Sequence, residues 1–204
     1  MVQGIILAAG LSTRMGRPKL VLEVGGRPVI QTVAEAALGS GLNRIVLVVG
    51  PSATDLRSHL GSLAGDPKLG IVENPRPEHG MSSSLRAGMK AVDDGTAGVM
   101  IILADQPGQT SQLFDRLAAE FVKHPQSIVA PAINGRRTNP VIFPGWLFEE
   151  LIKQSGDIGG REVLNRHADR VVLVEMGSEY DDRDLDTPED LQRMNGNSRC
   201  RSNG

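Results

Sequence analysis

Apolar and polar positions along this chain follow two rhythms. Short runs rich in β-branched residues and leucine recur at 4–8, 44–50, 70–73, 99–103, 128–130, 140–143 and 170–175, and they predict strands. Between them, 29–38, 53–63, 82–92, 109–123 and 146–154 carry apolar residues near helical spacing. Gly50-Pro51-Ser52, Asp66-Pro67 and Pro75-Arg76-Pro77 punctuate the alternation. Strands that are apolar almost throughout belong inside a sheet covered on both faces, and strand–helix alternation makes that sheet largely parallel. The pattern predicts an α/β fold in one domain over 1–194, without internal repeats. Residues 195–204 are polar and aperiodic and are expected to form a disordered tail. The stretch 134–160 is a candidate lobe over the sheet.

Composition narrows the function classes. A chain of 204 residues with 40% apolar and 23% charged residues can bury a proper core. A net charge of -2 argues against a broadly basic nucleic-acid surface, and 3% aromatic residues weaken any base-stacking platform. Cys200 is the single cysteine, which excludes an internal disulfide framework and a cysteine-rich zinc site. No segment approaches the ~18 apolar residues of a membrane span, and the N-terminal apolar run reads as a strand, so a cytoplasmic location is the default.

The first strand run leads into Leu7-Ala8-Ala9-Gly10-Leu11-Ser12-Thr13-Arg14-Met15-Gly16-Arg17-Pro18-Lys19. Small residues let a backbone come close to a ligand, and the cations favour an anion. The carboxyl end of a buried strand is also where open α/β sheets bind nucleotides. Five residues separate Gly10 from Gly16, and two more precede Lys19, so GxxxxGK[ST] is not met; nor is GxGxxG. Two readings remain. In one, the loop wraps a triphosphate, with backbone N–H groups, Arg14 and Lys19 as donors. In the other it is a glycine-rich turn with solvated cations.

These residues resemble the LAAGxSxRMGxxK signature of the small nucleotidyltransferases with a glycosyltransferase-A-like fold, and most of all the molybdenum cofactor cytidylyltransferases. The resemblance implies a three-layer α/β sandwich around a mostly parallel mixed sheet, Rossmann-like in arrangement. It implies that Leu7, Ala8, Ala9, Gly10, Ser12 and Gly16 bind the nucleotide and that Arg14 and Lys19 serve catalysis. Related guanylyltransferases usually carry a second glycine where this chain has Ala9. The resemblance therefore implies CTP over GTP, a methyl group there changing which base edge fits. Taken alone, Ala9 is also a small residue that suits a tight turn.

The run 99–103 ends in Ala104-Asp105-Gln106-Pro107. A carboxylate at the tip of a buried strand points into the ligand crevice, and Mg²⁺ takes one or two carboxylates plus phosphate oxygens. A second acidic cluster lies at Asp184-Leu185-Asp186-Thr187-Pro188-Glu189-Asp190. There Thr187 reads as a helix N-cap, Pro188 as the first helical residue and Asp190 as the capping-box partner. Asp184 and Asp186 are then freer to coordinate. His79-Gly80-Met81-Ser82-Ser83-Ser84-Leu85-Arg86-Ala87-Gly88 is a small-residue loop opening a helix, which its serines can cap. Glu73 and Asn74 are candidates to line the same crevice.

The resemblance extends to all three places. LADQP implies that Asp105 binds Mg²⁺ and takes part in catalysis. The closing DIDTPEDL-like segment implies a second metal contact at Asp186, with Asp184 behind it. The GMxxSLxxG pattern, matched at Gly80, Met81, Ser84, Leu85 and Gly88, implies a pyrimidine and ribose site read by Ser84 and the backbone near Gly80, with Asn74 beside it.

On the acceptor side, Ser155-Gly156-Asp157-Ile158-Gly159-Gly160-Arg161 resembles the family's GDxGxR loop. Asp157 either orients a bound group or caps a helix, and Arg161 is suited to an acidic substrate. Thr138-Asn139-Pro140 stands where molybdopterin enzymes often show Gly-His-Pro, a departure on the acceptor side. His79 and His124 lack partners at metal-ligand spacing, and His167 reads as a surface residue.

The implied activity is Mg²⁺-dependent transfer of CMP from CTP to the terminal phosphate of molybdopterin, with release of pyrophosphate. An anionic acceptor oxygen attacks the α-phosphorus in line without a strong general base, so catalysis rests on positioning and electrostatics. Implied partners are the triphosphate, the phosphorylated acceptor, and transiently a molybdoenzyme or its chaperone, but neither nucleic acid nor membrane. The alternatives are GTP or another acceptor, such as a sugar phosphate or methylerythritol phosphate, and a non-catalytic cofactor-delivery protein. A Rossmann-like oxidoreductase is disfavoured by the missing GxGxxG.

Overall fold

A computed structural model describes residues 1–10, 18–51, 54–156, 159–177 and 180–201. The sheet is built around β1 (Val2–Ala8), in which Ile5 and Ile6 are both fully buried. Successive side chains of a strand face opposite ways, so these two isoleucines enter different cores on the two faces of the sheet. That is why the run shows no polar alternation.

After β1 the chain forms a small hairpin, β2 (Glu23–Val24) and β3 (Arg27–Pro28). Its turn residues Gly25 and Gly26 have φ of 63° and 80°, a left-handed pair that favours glycine. There follow α1 (Val29–Leu38), β4 (Ile45–Val49), α2 (Thr54–His59), β5 (Leu69–Glu73), α3 (Met81–Met89), β6 (Gly98–Leu103) and α4 (Ser111–Lys123). The second half adds β7 (Ile128–Ile133), β8 (Arg136–Arg137), β9 (Val141–Pro144), α5 (Phe148–Ile152), α6 (Arg161–Arg166), β10 (Val171–Glu175) and α7 (Pro188–Arg201). Among the described residues no helix is long and apolar enough to cross a membrane.

The main sheet runs β10-β7-β9-β6-β1-β4-β5, with β8 paired to β7. Pairs β1–β4, β1–β6, β4–β5 and β7–β10 are parallel, whereas β9 is antiparallel to both β6 and β7. The fold is thus the mostly parallel mixed sheet that the sequence resemblance implied. From β1 the chain steps outward through β4 to β5, then returns to place β6 on the other side of β1. The crevice at the carboxyl ends of β1 and β6 is therefore the switch point at which such sheets bind ligands.

One sequence expectation changes. The stretch 134–160 is not a lobe over the sheet. Val141, Ile142 and Phe143 are all buried, and β9 runs as an interior strand between β6 and β7. Helix α7 is described from Pro188 to Arg201, and residues 202–204 of the expected tail lie outside the described residues. Asn195 also holds the hairpin: its side-chain oxygen accepts from Gly25 N at 2.9 Å, and its amide donates to Glu23 O at 3.1 Å. Polar composition hides such a contact because both partners are backbone groups.

On one face α1 and α4 cover the sheet, and Phe114, Leu117 and Phe121 meet Met100 and Ile142 in one continuous core. On the other, α3 lies across β1 and β4 at the level of Gly88. A Cβ at that position would stand 2.6 Å from Ile5 Cγ2 and 3.0 Å from Val48 Cγ2. Both neighbours are β-branched and stiff about χ1. Gly88, a residue of the sequence motif, is thus required by the close approach of helix and sheet.

This contest has a predicted outcome. Gly88→Ala gains about 1 kcal/mol of helix propensity but overpacks the core at a cost of about 1–3 kcal/mol. The variant is expected to unfold at lower urea concentration with an unchanged m-value. A midpoint equal to or above that of the parent would show that α3 can lift from the sheet without cost.

Candidate active site

Lys19 reaches the crevice because of what flanks it. Pro18, with φ of -60°, leads into a tight 3-10 turn over Lys19–Val21 whose middle residue, Leu20, is anchored in the core. The Lys19 ammonium lies 2.6 Å from Asp105 Oδ2 and 2.7 Å from Asp186 Oδ1. One cation from the segment after β1 therefore joins the tip of β6 to the segment before α7. Burial pushes the Lys19 ammonium down. The Asp105 charge and the hydrogen bonds to Asp105 and Asp186 outweigh it and hold the group above its ordinary value. It stays charged throughout the neutral range.

The two acidic segments are tied together by backbone as well. Leu185 N donates to Asp105 O at 2.8 Å. Gln106, 3% exposed, donates its amide to Asp184 Oδ1 at 2.8 Å and to Asp182 O at 3.2 Å. Gln109, also buried, donates to Leu103 O and to Gln106 Oε1, both at 3.0 Å, and so orients that amide. A Cβ on Gly108 would stand 2.2 Å from Asp181 O, so the loop after β6 and the 181–186 segment touch with no room between them.

Beyond Asp186 the chain enters α7 through the expected capping box. Asp190 N donates to Thr187 Oγ1 at 3.2 Å, and Thr187 N donates to Asp190 Oδ2 at 2.9 Å. Asp190 is thereby committed to the cap, and Asp186 is left facing Lys19. Asp184 is held differently. Burial pushes its carboxyl up, the Gln106 hydrogen bond opposes this, and the charges of Asp105 and Asp186 add to it.

Two carboxylates that share one cation suit a hard divalent ion, which accepts one or two carboxylates and completes its shell with phosphate oxygens and water. Among the described residues no cluster of three or more His, Cys, Asp or Glu side chains has metal-binding geometry. The donor set therefore fits Mg²⁺ or Mn²⁺ carried in with a polyphosphate better than a permanently caged ion.

The residues expected to bind nucleotide are placed unequally. Leu7 and Ala8 lie in β1, with Leu7 O accepting from Ala104 N at 3.2 Å. The Ala8 side chain is buried in one core. Ala9 is 5% exposed, with its methyl in the opposite core beside Ile5, Val48 and Leu85. A residue so little exposed offers a base hardly any side-chain surface. Gly10 is exposed, with open space where a Cβ would be. Ser12, Arg14, Gly16 and Asp157 lie outside the described residues.

Gly80 begins α3 with φ of 83° and no side-chain cap. Asn74 is buried and fully engaged. Its amide donates to Ser83 Oγ at 2.8 Å and Ser84 Oγ at 3.0 Å, and its oxygen accepts from Arg76 N at 3.1 Å. Ser83 donates to Gly80 O at 2.7 Å and Arg76 O at 3.0 Å. Asn74 and Ser83 therefore brace the loop that carries Gly80, while Ser84 keeps its hydroxyl proton available. Gly156 meets the first turn of α3, where Ser82 N donates to its carbonyl oxygen at 3.1 Å. Gly159 packs so closely that a Cβ would stand 2.7 Å from Met81 Sδ.

The acceptor side joins the same framework. Thr138 Oγ1 and Arg136 each donate to Asp182 Oδ2 at 2.8 Å, and the Tyr180 hydroxyl donates to Asn139 O. Burial lowers the Arg137 guanidinium and the neighbouring Arg161 charge lowers it further, so two arginines face the same region. Sequence reading missed Gln106, Gln109, Thr138 and Asp182 as positioning residues. The two glutamines flanking Pro107 were the available hint, since a buried amide three residues from another needs a partner.

Comparison with known proteins adds a family. A model described as a MobA-like NTP transferase domain matches residues 4–171. The chain is 31% identical over 203 residues to the nicotine blue oxidoreductase of Paenarthrobacter nicotinovorans, covering 95% of this chain and 96% of that protein. It is 31% identical over 200 residues to the purine catabolism protein PucB of Bacillus subtilis (strain 168), covering 94% of each. The crystal structure of an Rv0371c homologue from Mycobacterium sp. strain JC1 superposes with a TM-score of 0.84 at 24% identity, over 98% of this chain and 97% of the other. That of Rv0371c from Mycobacterium tuberculosis H37Rv in complex with manganese gives 0.78 at 23% identity, over 96% and 98%.

Two outcomes test the geometry. Gly108→Ala is expected to lose about 1–3 kcal/mol by chemical denaturation, because the new methyl meets backbone. Asp184→Asn keeps an oxygen for Gln106 and removes a charge beside two others. A carboxyl whose native pKa is raised destabilises the fold above that pKa, and the effect vanishes as pH falls and the group protonates. The variant should therefore melt higher than the parent at pH 7, with the difference closing toward pH 4. A lower melting temperature at pH 7 would show that the Asp184 charge is needed by the fold.

Proposed function

The chain is a nucleotidyltransferase belonging to the MobA-like NTP transferase family, and we propose that it transfers CMP from CTP to the terminal phosphate of molybdopterin, releasing pyrophosphate. The observation that carries this reading is the single Lys19 ammonium shared by Asp105 and Asp186 at the carboxyl ends of β1 and β6. It supplies a fixed positive charge next to two carboxylates in the crevice where this class of sheet takes nucleotides.

Asp105 and Asp186 would hold a divalent ion, proposed as Mg²⁺; the manganese-bound Rv0371c structure supports a divalent site in the fold. Such an ion would neutralise phosphate charge and make the phosphorus more electrophilic. Lys19 stabilises charge on the triphosphate, and Arg14 is proposed to do the same from the loop between Gly10 and Pro18. Both are charges already in place before the reaction, which is what makes such stabilisation effective.

The base is proposed to rest against the backbone of Ala9 and Gly10 and the Gly80 turn, with the Ser84 hydroxyl donating to it. Since the Ala9 methyl is buried, preference for CTP depends on how closely that backbone lets a base approach. The acceptor phosphate is proposed to enter past Arg137 and Arg161, with Asp157 alongside. A phosphate monoester brings its own anionic oxygen, so the site needs no general base, and none of the described histidines stands near Lys19 or Asp105 as a hydrogen-bond partner.

The relative named nicotine blue oxidoreductase supports a second reading, an oxidoreductase. One assay set separates the two. Pyrophosphate release should require a divalent ion and molybdopterin and run faster with CTP than with GTP. Clear GTP preference would overturn the cytidylyl assignment. Oxidation of NADH or NADPH with a dye acceptor and no pyrophosphate release would overturn the transferase chemistry for this chain. Lys19→Ala is expected to lower turnover by about 10²–10³-fold with unchanged far-UV circular dichroism. Retained cofactor maturation by Asp105→Ala would favour a delivery protein instead.

A further inference from the structure

A second concave site lies away from the Lys19 cluster, between the edge strand β5 and the outer side of α3. It has a volume of about 430 Å³, within the range of about 300–1,000 Å³ typical of small-molecule sites. Its floor is apolar, formed by Val72, Ala87 and Ala91, with Pro75 at one end. Its rim is cationic: Arg76 comes from the loop after β5, Arg86 from α3 and Lys90 from the C-cap of α3. Arg86 and Lys90 are four residues apart and so share one face of the helix.

These cations are not structural. Arg136 is spent on Asp182 and Arg44 on Asp93, but the side chains of Arg76, Arg86 and Lys90 make no hydrogen bond or ion pair among the described residues. Arg86 is half-buried, and a half-buried guanidinium without an anion loses part of its hydration with nothing in return. Glu73 is the one carboxylate lining the cavity, and it leaves an excess of positive charge from the three cations. His79 also lines it and faces Glu78 at 3.9 Å.

We propose that this cavity binds a phosphorylated small molecule, its phosphate or diphosphate held by Arg76, Arg86 and Lys90 and its body resting on Val72, Ala87 and Ala91. Arg offers a planar fork to phosphate oxygens and Lys a compact charge, so the mixed set suits a phosphate group better than a lone carboxylate. Three cations around an apolar floor also fit an organic phosphate better than inorganic phosphate. Neither Ala9, Lys19, Gly80 nor Asp105 lines the cavity, and it shares with the loop bordering the nucleotide crevice the bracing residues Asn74 and Ser83.

The wall between the two sites is the 74–80 loop. Arg76 N is bonded to Asn74 Oδ1, and Ser83 Oγ ties Arg76 O to Gly80 O. A ligand that draws the Arg76 side chain inward acts on the same loop that presents Gly80 to the nucleotide. Occupancy of the cavity is therefore expected to change CTP affinity.

The test maps backbone ¹H–¹⁵N shifts during titration with ribose 5-phosphate, without divalent metal. The expected result is a saturable set of shifts at 72–79 and 86–91. In the Arg86→Gln/Lys90→Gln variant that set should need at least about tenfold more ligand, while direct CTP binding in the absence of the sugar phosphate stays within twofold of the parent. Lys90→Gln alone, at an exposed position, should weaken the site without altering the melting temperature. Shifts confined to 8–10, 18–22 and 104–106 would overturn the proposal, as would cavity shifts unchanged in both variants. These outcomes do not depend on turnover, so failure of the transferase reading and failure of this one are told apart.

Discussion

The crevice depends on one ammonium standing between two carboxylates. Lys19, Asp105 and Asp186 come from segments separated by 86 and 167 positions relative to the lysine, and the pairs close at 2.6 and 2.7 Å. Without the cation, the tip of β6 and the approach to α7 would bring like charges together, with Asp184 adding a third beside them. The backbone bond from Leu185 to Asp105 and the Gln106–Asp184 contact hold the acidic segments in place. They do nothing to offset the charge. Lys19 does, and it can only because Leu20 is anchored in the core and turns it inward.

That arrangement suits a reaction with a polyanion. A pair of carboxylates and a cation in contact form a small, preorganised charge pattern that changes little when a charged ligand replaces one partner of each interaction. The partial exposure of Asp186, at 41% of its side chain, leaves the pair open to ligand rather than sealed as a structural salt bridge. The rest of the molecule holds this pattern steady. Buried glutamines orient the acids, glycines at 88 and 108 let helix and loops close in, and the capping box removes Asp190 from competition.

The strands and most helices were legible in the sequence because burial on both faces leaves a near-continuous apolar run, and helical burial leaves a 3.6-residue rhythm. Val29–Leu38 matches its helix residue for residue. The capping box at Thr187 was legible for a local reason, since all its partners lie within three residues. Three things were not. The place of β9, read as a strand at 140–143, between β6 and β7 was hidden because strand order is not a local property. The contact of Asn195 with the hairpin was hidden because its partners there are backbone groups, which leave no trace in composition. The pairing of Lys19 with Asp186 spans nearly the whole chain, and no local pattern encodes it.

The sequence by itself determined the class of fold and the chemistry available: alternating buried strands and helices, a small-residue cationic loop, and acids at strand ends. These follow from periodicity and residue type, which act over a few positions. The tertiary structure alone decided which of those residues meet. It turned the Ala9 methyl into a core, spent Asn74 and Ser83 on bracing a loop, and gave Lys19 two partners. It also lined an unassigned cavity with two cations four residues apart at α3 and one from the loop that leads into that helix. Such encounters depend on strand order and on the depth at which helices seat, and neither is written in any single stretch of the chain.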